Sequence, residues 1–251
     1  MRTTGSQLLG IVIVLVGVAF LLANFGLLDL DWRSFWPLVL VALGVALVLG
    51  GATSRAGEAS EVRVPRGPTA VELDLTAGAG RFKLRGGATA LFELASGDDD
   101  VRWSTDRAGD RGRIRVRQEG RWAPWQWRGR PTEWQMGLAS DVPAALDLTI
   151  GAGQLDVDLI DIRLIGARLS LGAASGSLRL PRPVGDVRIE LTLGAASLRL
   201  GVPAGVQARV TSSGGLLSIS GERETAGWAG AADRVTVAVS GGASSVRIEP
   251  A

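Results

Sequence analysis

The chain has 251 residues, 46% hydrophobic and 21% charged, with 27 basic and 25 acidic side chains. It holds no His, Cys or Tyr, and Lys83 is its only lysine. The sequence pI of about 10.2 therefore reflects an excess of only +2, with few side chains to titrate between the carboxylates and arginine. This composition excludes thiol and disulfide chemistry and leaves zinc without its usual sulfur or imidazole ligands. It also removes the commonest general acid–base at neutral pH. Such a balance gives no electrostatic ground for nucleic-acid binding.

Two apolar runs open the chain. Thr3 to Leu28 has no charged residue, and a second uncharged run extends from Ser34 to Ser54. Each is about 20 residues, enough to cross a hydrocarbon core of roughly 30 Å. The predicted element over 1–54 is a transmembrane hairpin, with helices at about 7–28 and 35–53 turned by "DLDWRS". Pro37 suits the first turn of the second helix, where its missing N–H is no loss. Phe25, Trp32, Phe35 and Trp36 fall where an interfacial aromatic belt belongs. Ala42, Ala46 and Gly50 form a small-residue ridge for close helix contact. The first run is too long for a signal peptide, and a second span follows it. Arg2, Arg55, Arg63 and Arg66 flank the hairpin against Arg33 alone in its loop. The positive-inside rule then predicts two spans with both termini in the cytoplasm.

A linker over 55–66 is expected to lead into an all-β repeat domain over 67–251. Its first copy, "VELDLTAGAGRFKLRGG", begins at Val71. A segment of different character, about 96–143, then interrupts the array. Five of the eight tryptophans lie in it (Trp103, Trp122, Trp125, Trp127 and Trp134), among arginines that include Arg113, Arg115, Arg117, Arg121, Arg128 and Arg130. One reading makes "GRIRVRQE" a strand with solvent-facing arginines and the tryptophans a cap on the core. The other makes Trp122, Trp125, Trp127, Arg121, Arg128 and Arg130 a surface for a protein partner or the membrane, since Trp and Arg are favoured anchors. Interleaved acidic residues oppose a nucleic-acid groove. Asp98, Asp99 and Asp100 could hold a hard cation, although consecutive carboxylates in a loop are usually solvated.

From Leu146 the chain reads "LDLTIGAGQLDVDL". A strand entering a glycine turn is half of a dinucleotide fingerprint, but no helix follows. Leu155, Val157 and Leu159 instead alternate with Asp156 and Asp158, the period of a second strand. The pattern returns from Ala167, Val187, Val206 and Val235. Gly151, Gly172, Gly194 and Gly214 are 21, 22 and 20 residues apart, a spacing that signals stacked repeats. Each unit reads as strand, Gly-Ala corner, strand, with Gly78, Gly151, Gly172, Gly194, Gly214 and Gly241 as turn glycines. Leu193, Leu198 and Leu200 are predicted to face inward, and Thr192 and Arg199 outward. The expected architecture is a β-solenoid or β-roll of about five or six coils, each pairing with the next. A calcium-binding nonapeptide array would need tandem nine-residue repeats, and none follow "GAGQLDVDL".

No catalytic constellation emerges. No serine has a base in a G-x-S-x-G setting, and Asp156 and Asp158 lie on the outward face of a strand, where solvation suffices to explain them. No cofactor, metal or catalytic residue is predicted.

The assembled pieces resemble the LiaF-like family of bacterial envelope-stress membrane proteins. The N-terminal part resembles the LiaI/LiaF-type transmembrane region in Gly17, Asn24-Phe25-Gly26, Trp36-Pro37 and Gly44. The C-terminal part resembles the toast-rack β domain in "EWQMGLASDVPAALDLTIGAGQLDVDLIDIRL" and the Gly-Ala repeats after it. The resemblance implies a non-enzymatic protein of the bacterial cell membrane that restrains or tunes a two-component sensor kinase responding to cell-wall-active antibiotics. Its implied partners are the lipid bilayer and another envelope protein, and a homo-oligomer is also open. The alternative is an envelope-facing module that binds lipid, wall polymer or antimicrobial peptide. A single hairpin and the Trp/Arg-rich segment are departures from the family pattern.

Overall fold

A computed structural model of the chain describes residues 60–97, 101–118 and 133–251. The predicted hairpin, Asp98 to Asp100 and residues 119–132 lie outside the described residues. Among the described residues no helix is long and apolar enough to cross a membrane.

The described residues form one 14-stranded sheet. Its strands are β1 (Ser60–Val64), β2 (Ala70–Gly86), β3 (Phe92–Ser96), β4 (Val101–Ala108), β5 (Arg111–Gln118), β6 (Glu133–Leu138) and β7 (Ala144–Asp158). They continue with β8 (Leu164–Arg179), β9 (Asp186–Leu193), β10 (Ser197–Val202), β11 (Ala208–Ser213), β12 (Leu217–Ser220), β13 (Arg234–Gly241) and β14 (Ser244–Pro250).

The all-β repeat reading of this region holds, and β7 shows why. Leu146, Leu148 and Ile150 are buried and Thr149 is exposed, so even-numbered side chains face the core before the glycines. After them Leu155, Val157 and Leu159 are buried, and the inward side has moved to odd numbers. The Gly-Ala stretch is where the alternation changes phase, which turns both arms toward one core. It is not a break in the ladder, however: β2, β7 and β8 each run through their glycines as one hydrogen-bonded strand. Only in the later copies does the corner separate two strands, β9 from β10, β11 from β12 and β13 from β14.

Parallel pairing stacks equivalent residues. Leu75, Leu148, Leu169, Leu191 and Val239 are successive partners along one inward row. Beyond the corner Leu178, Leu200 and Ile248 form another. The inward rows of both arms belong to a single core, and each buried aliphatic side chain contributes about 1.5–3 kcal/mol by leaving water.

Three expectations are corrected. The first is the order of the coils. The first arms are arranged β4-β5-β2-β7-β8-β9-β13-β11 and the second arms β1-β3-β6-β2-β7-β8-β10-β14-β12. The last copy, β13 and β14, therefore lies between the fourth and fifth, and the fifth copy ends the array. The second concerns the segment at 96–143, whose described strands β5 and β6 are not foreign to the array. They pair in parallel with the two arms of β2 and add a coil of their own. Seven coils result among the described residues, rather than five or six. The third concerns the stretch read as a linker at 55–66. Ser60–Val64 within it is a strand, paired antiparallel with β3.

Candidate interaction surface

The turn glycines form a column whose role is packing. A Cβ added at Gly151 would lie 2.6 Å from the carbonyl oxygen of Gly78, and one at Gly194 would lie 2.8 Å from that of Gly172. Neighbouring backbones approach too closely there for any side chain. Gly214, at φ +134°, meets the oxygen of Gly241 in the same way. Gly241 itself stands opposite Leu193, so Gly242 takes the column position beside Gly194. These backbones face each other, not a phosphate.

Hydroxyl rows run along both sides of this column. Thr76, Thr149, Ser170, Thr192, Ser240 and Ser213 are in register before the corner. Ser175, Ser197, Ser245 and Ser218 are in register after it. A shallow groove over the corner is lined by Ala173, Ala195, Ala196 and Ser197 among others, with Leu216 at one end.

Farther from the corner the outer face is ionic. Arg113 donates to Glu72 at 2.7 Å and 3.0 Å, and Arg115 pairs with Asp106. Ile114 and Val116 between them are buried, so the "GRIRVRQE" stretch is a strand with these arginines outward. Glu190 accepts from Arg168 at 3.1 Å and Arg188 at 3.0 Å, and these two donors hold its carboxyl below the usual range. The Lys83 ammonium does the same for Glu133 from 2.9 Å. Asp156 accepts from the Ser177 hydroxyl at 2.8 Å, and Asp158 pairs with Arg179 at 3.2 Å. The two aspartates thus have separate partners and form no acid–base pair. Among the described residues no three His, Cys, Asp or Glu side chains gather closely enough to hold a metal ion.

The tryptophans divide. Trp134 on β6 is fully buried, its ring meeting that of Phe82 edge-on at 5.5 Å. Trp103 on β4 stands opposite Val116 and is 48% exposed, so it lies over the end of the core with half its surface in water. Trp122, Trp125 and Trp127, with Arg121, Arg128 and Arg130, lie outside the described residues, as do Phe25, Trp32, Phe35 and Trp36. Trp228 carries a contact that the repeat pattern did not single out. The Arg209 guanidinium sits 3.4 Å from its ring centroid and that of Arg234 sits 4.9 Å away, a stacking that favours both partners. The available signal was one large aromatic in the small-residue loop "ETAGWAG" between two copies.

Residues 54–201 match the family model described as the N-terminal domain of toast_rack, DUF2154. The chain belongs to the toast-rack family. Residues 8–48 match a second model, the LiaI-LiaF-like transmembrane region. Together they make this a LiaF-like toast-rack membrane protein, and neither family is one of enzymes. No curated protein matches the chain. Among solved structures, a candidate cell adhesion protein from Clostridium sporogenes is similar over 77% of this chain and all of its own, with a TM-score of 0.67 and 16% identity. That likeness is one of fold. A candidate adhesin from Bacteroides fragilis covers 76% of this chain and 96% of its own, with 8% identity and a TM-score of 0.31, too slight to bear on the fold.

Proposed function

We propose that this chain is a non-enzymatic regulatory or scaffold protein of the bacterial envelope-stress response, acting through contacts of its toast-rack domain with another envelope protein, such as a sensor kinase. The observation that carries this reading is the joining of two modules in one chain. A LiaI-LiaF-like transmembrane match ends at residue 48 and the toast-rack match begins at residue 54. Carried in one chain with a transmembrane region, the β domain is tethered to the membrane and confined to partners in or near it. In this reading residues 1–54 form a helical hairpin that crosses the membrane twice, residues 67–251 form the docking domain, and both termini are cytoplasmic. The ionic outer face suits recognition better than catalysis, since Glu72, Glu133, Asp158 and Glu190 are each paired with arginine or lysine.

The test has two arms. Deleting the gene in its host should shift the basal output of a promoter controlled by a cell-wall-antibiotic-responsive kinase. Full-length protein in mild detergent should co-purify with that kinase. Unchanged output together with no co-purification would overturn the proposal.

A second reading has its own observation. Trp103 is 48% exposed at the edge of the Trp/Arg-rich segment, and amphipathic aromatics of this kind also bind lipid surfaces or wall polymers. A reporter fused after Ala251 separates the two: an outward-facing C-terminus would favour the envelope-facing module.

A further inference from the structure

The sheet has four terminal strands: β1, β4, β11 and β12. Unpaired strand edges invite pairing with other chains, and proteins usually blunt them with charge, proline or a covering loop. Three of the four are blunted here. β1 carries Glu61 and Arg63 and runs into Pro65; β4 carries Arg102, Asp106 and Arg107. β11 is covered by the following loop, whose Arg223 carbonyl accepts from the Val210 amide at 2.7 Å and whose Thr225 amide donates to Ala208 at 3.0 Å.

Among the described residues β12 has none of these devices. Its sequence is Leu217-Ser218-Ile219-Ser220, with no charge and no proline. Its one strand partner among the described residues is β14. Leu217 and Ile219, which continue the inward rows at this end, are only partly buried, and the preceding Leu216 is 76% exposed. The charged row begins one strand in, at Arg247 opposite Ser220.

We propose that β12 pairs antiparallel with β12 of a second copy of this chain, about a two-fold axis at Ser218. Side chains opposite one another in an antiparallel pair share a face. Centred on Ser218, the pairing sets Leu217 against Ile219 of the second copy, and the converse, so both apolar rows continue across the junction. Ser218 then faces its own equivalent. Residues at a two-fold axis meet their own copies, and an uncharged edge is the kind that tolerates this. The strand is short, so association rests on the membrane match at residues 8–48, which holds the copies in one plane and raises their effective concentration. The pairing does not depend on which envelope protein the domain contacts.

The absence of cysteine from the chain makes the test direct. Opposed strand residues lie about 4.5–5.5 Å apart at Cα, within the span of a disulfide. Full-length Ser218→Cys in membranes, treated with mild oxidant, should run mainly as a disulfide-linked dimer on a non-reducing gel. Ser197→Cys, on the same outward row two strands inside the wall, should stay monomeric. Adding Ser220→Lys to Ser218→Cys should abolish the dimer, because it places a charge opposite Leu216 of the second copy. All three changes fall on exposed outward positions, so the fold is spared. Equal dimer yields at Ser218→Cys and Ser197→Cys, a dimer indifferent to Ser220→Lys, or cross-linking only to a different protein would each overturn the proposal.

Discussion

A side-chain carbon at Gly172 would lie 2.3 Å from the carbonyl oxygen of Gly151. No rotamer can relieve that contact, because the backbone fixes the position of Cβ and the oxygen belongs to the backbone of the next coil. Gly172→Ala should therefore force the coils apart and cost about 2–3 kcal/mol. Gly97 has open space around it, and Gly97→Ala should change stability by about 0.5 kcal/mol or less. Denaturant titration of the two variants measures the difference, and equal midpoints would refute the column.

Leu193 is fully buried and its neighbour Thr192 is exposed. Leu193→Asp places an unpaired carboxylate in the core and should cost about 4 kcal/mol or more. Thr192→Asp should cost about 1 kcal/mol or less, mainly lost strand preference. The fragment from Gly57 to Ala251 is suited to the measurement, since it carries every described strand. Its far-UV circular dichroism should show β structure with little helix and a single melt. Similar melting temperatures for the two variants would reverse the facing assignment.

The tryptophans should separate by role. Trp134→Ser removes a fully buried ring from its contact with Phe82 and should cost about 3–5 kcal/mol. Replacing Trp122, Trp125 and Trp127 together with Ser is expected to weaken partner or membrane association of the domain while moving the melt little. Binding and melting must be measured side by side. A large fall in melting temperature with binding unchanged would make those three residues core.

Stability should respond to acid but not to pH near neutrality. Glu190 is held below the ordinary carboxylate value of 4.5 by hydrogen bonds from Arg168 and then Arg188. Glu224 is held down likewise by Arg209, and Glu93 by the Thr89 hydroxyl and the Ala90 amide. A carboxyl whose folded pKa is depressed stabilises fully above its unfolded value, and that contribution disappears as pH falls through the folded one. The chain has no histidine, so the melting temperature should stay flat between about pH 6 and 8 and fall below about 4.5. Glu190→Gln should show a smaller fall. An unchanged acid limb in that variant would mean the pair contributes nothing, the usual outcome for a fully screened surface contact.

The sequence by itself determined the local grammar of this domain. Alternation at period 2, as in Val187, Ile189, Leu191 and Leu193, depends only on which side of a pleat each residue takes. The glycine column depends only on the absence of Cβ, so both were visible without any knowledge of neighbours. The inward and outward assignments at Leu193, Leu198, Leu200, Thr192 and Arg199 follow from the same rule, and the structure places all five accordingly.

The order of the coils was decided only by tertiary structure. Copies with similar inward rows can stack in almost any sequence, because each presents much the same ladder to the next. What selects the order is where the chain can return. Residues 221–233 lay Arg223 and Thr225 along β11 and wedge Trp228 against Arg209 and Arg234, which closes that side of β11. The last copy then enters between β9 and β11, with Arg234 anchored to Asp186 at 2.9 Å. Nor could composition reveal that β5 and β6, amid tryptophan and arginine, belong to the array. Residues 119–132 separate their arms, and only pairing with β2 brings them onto one coil.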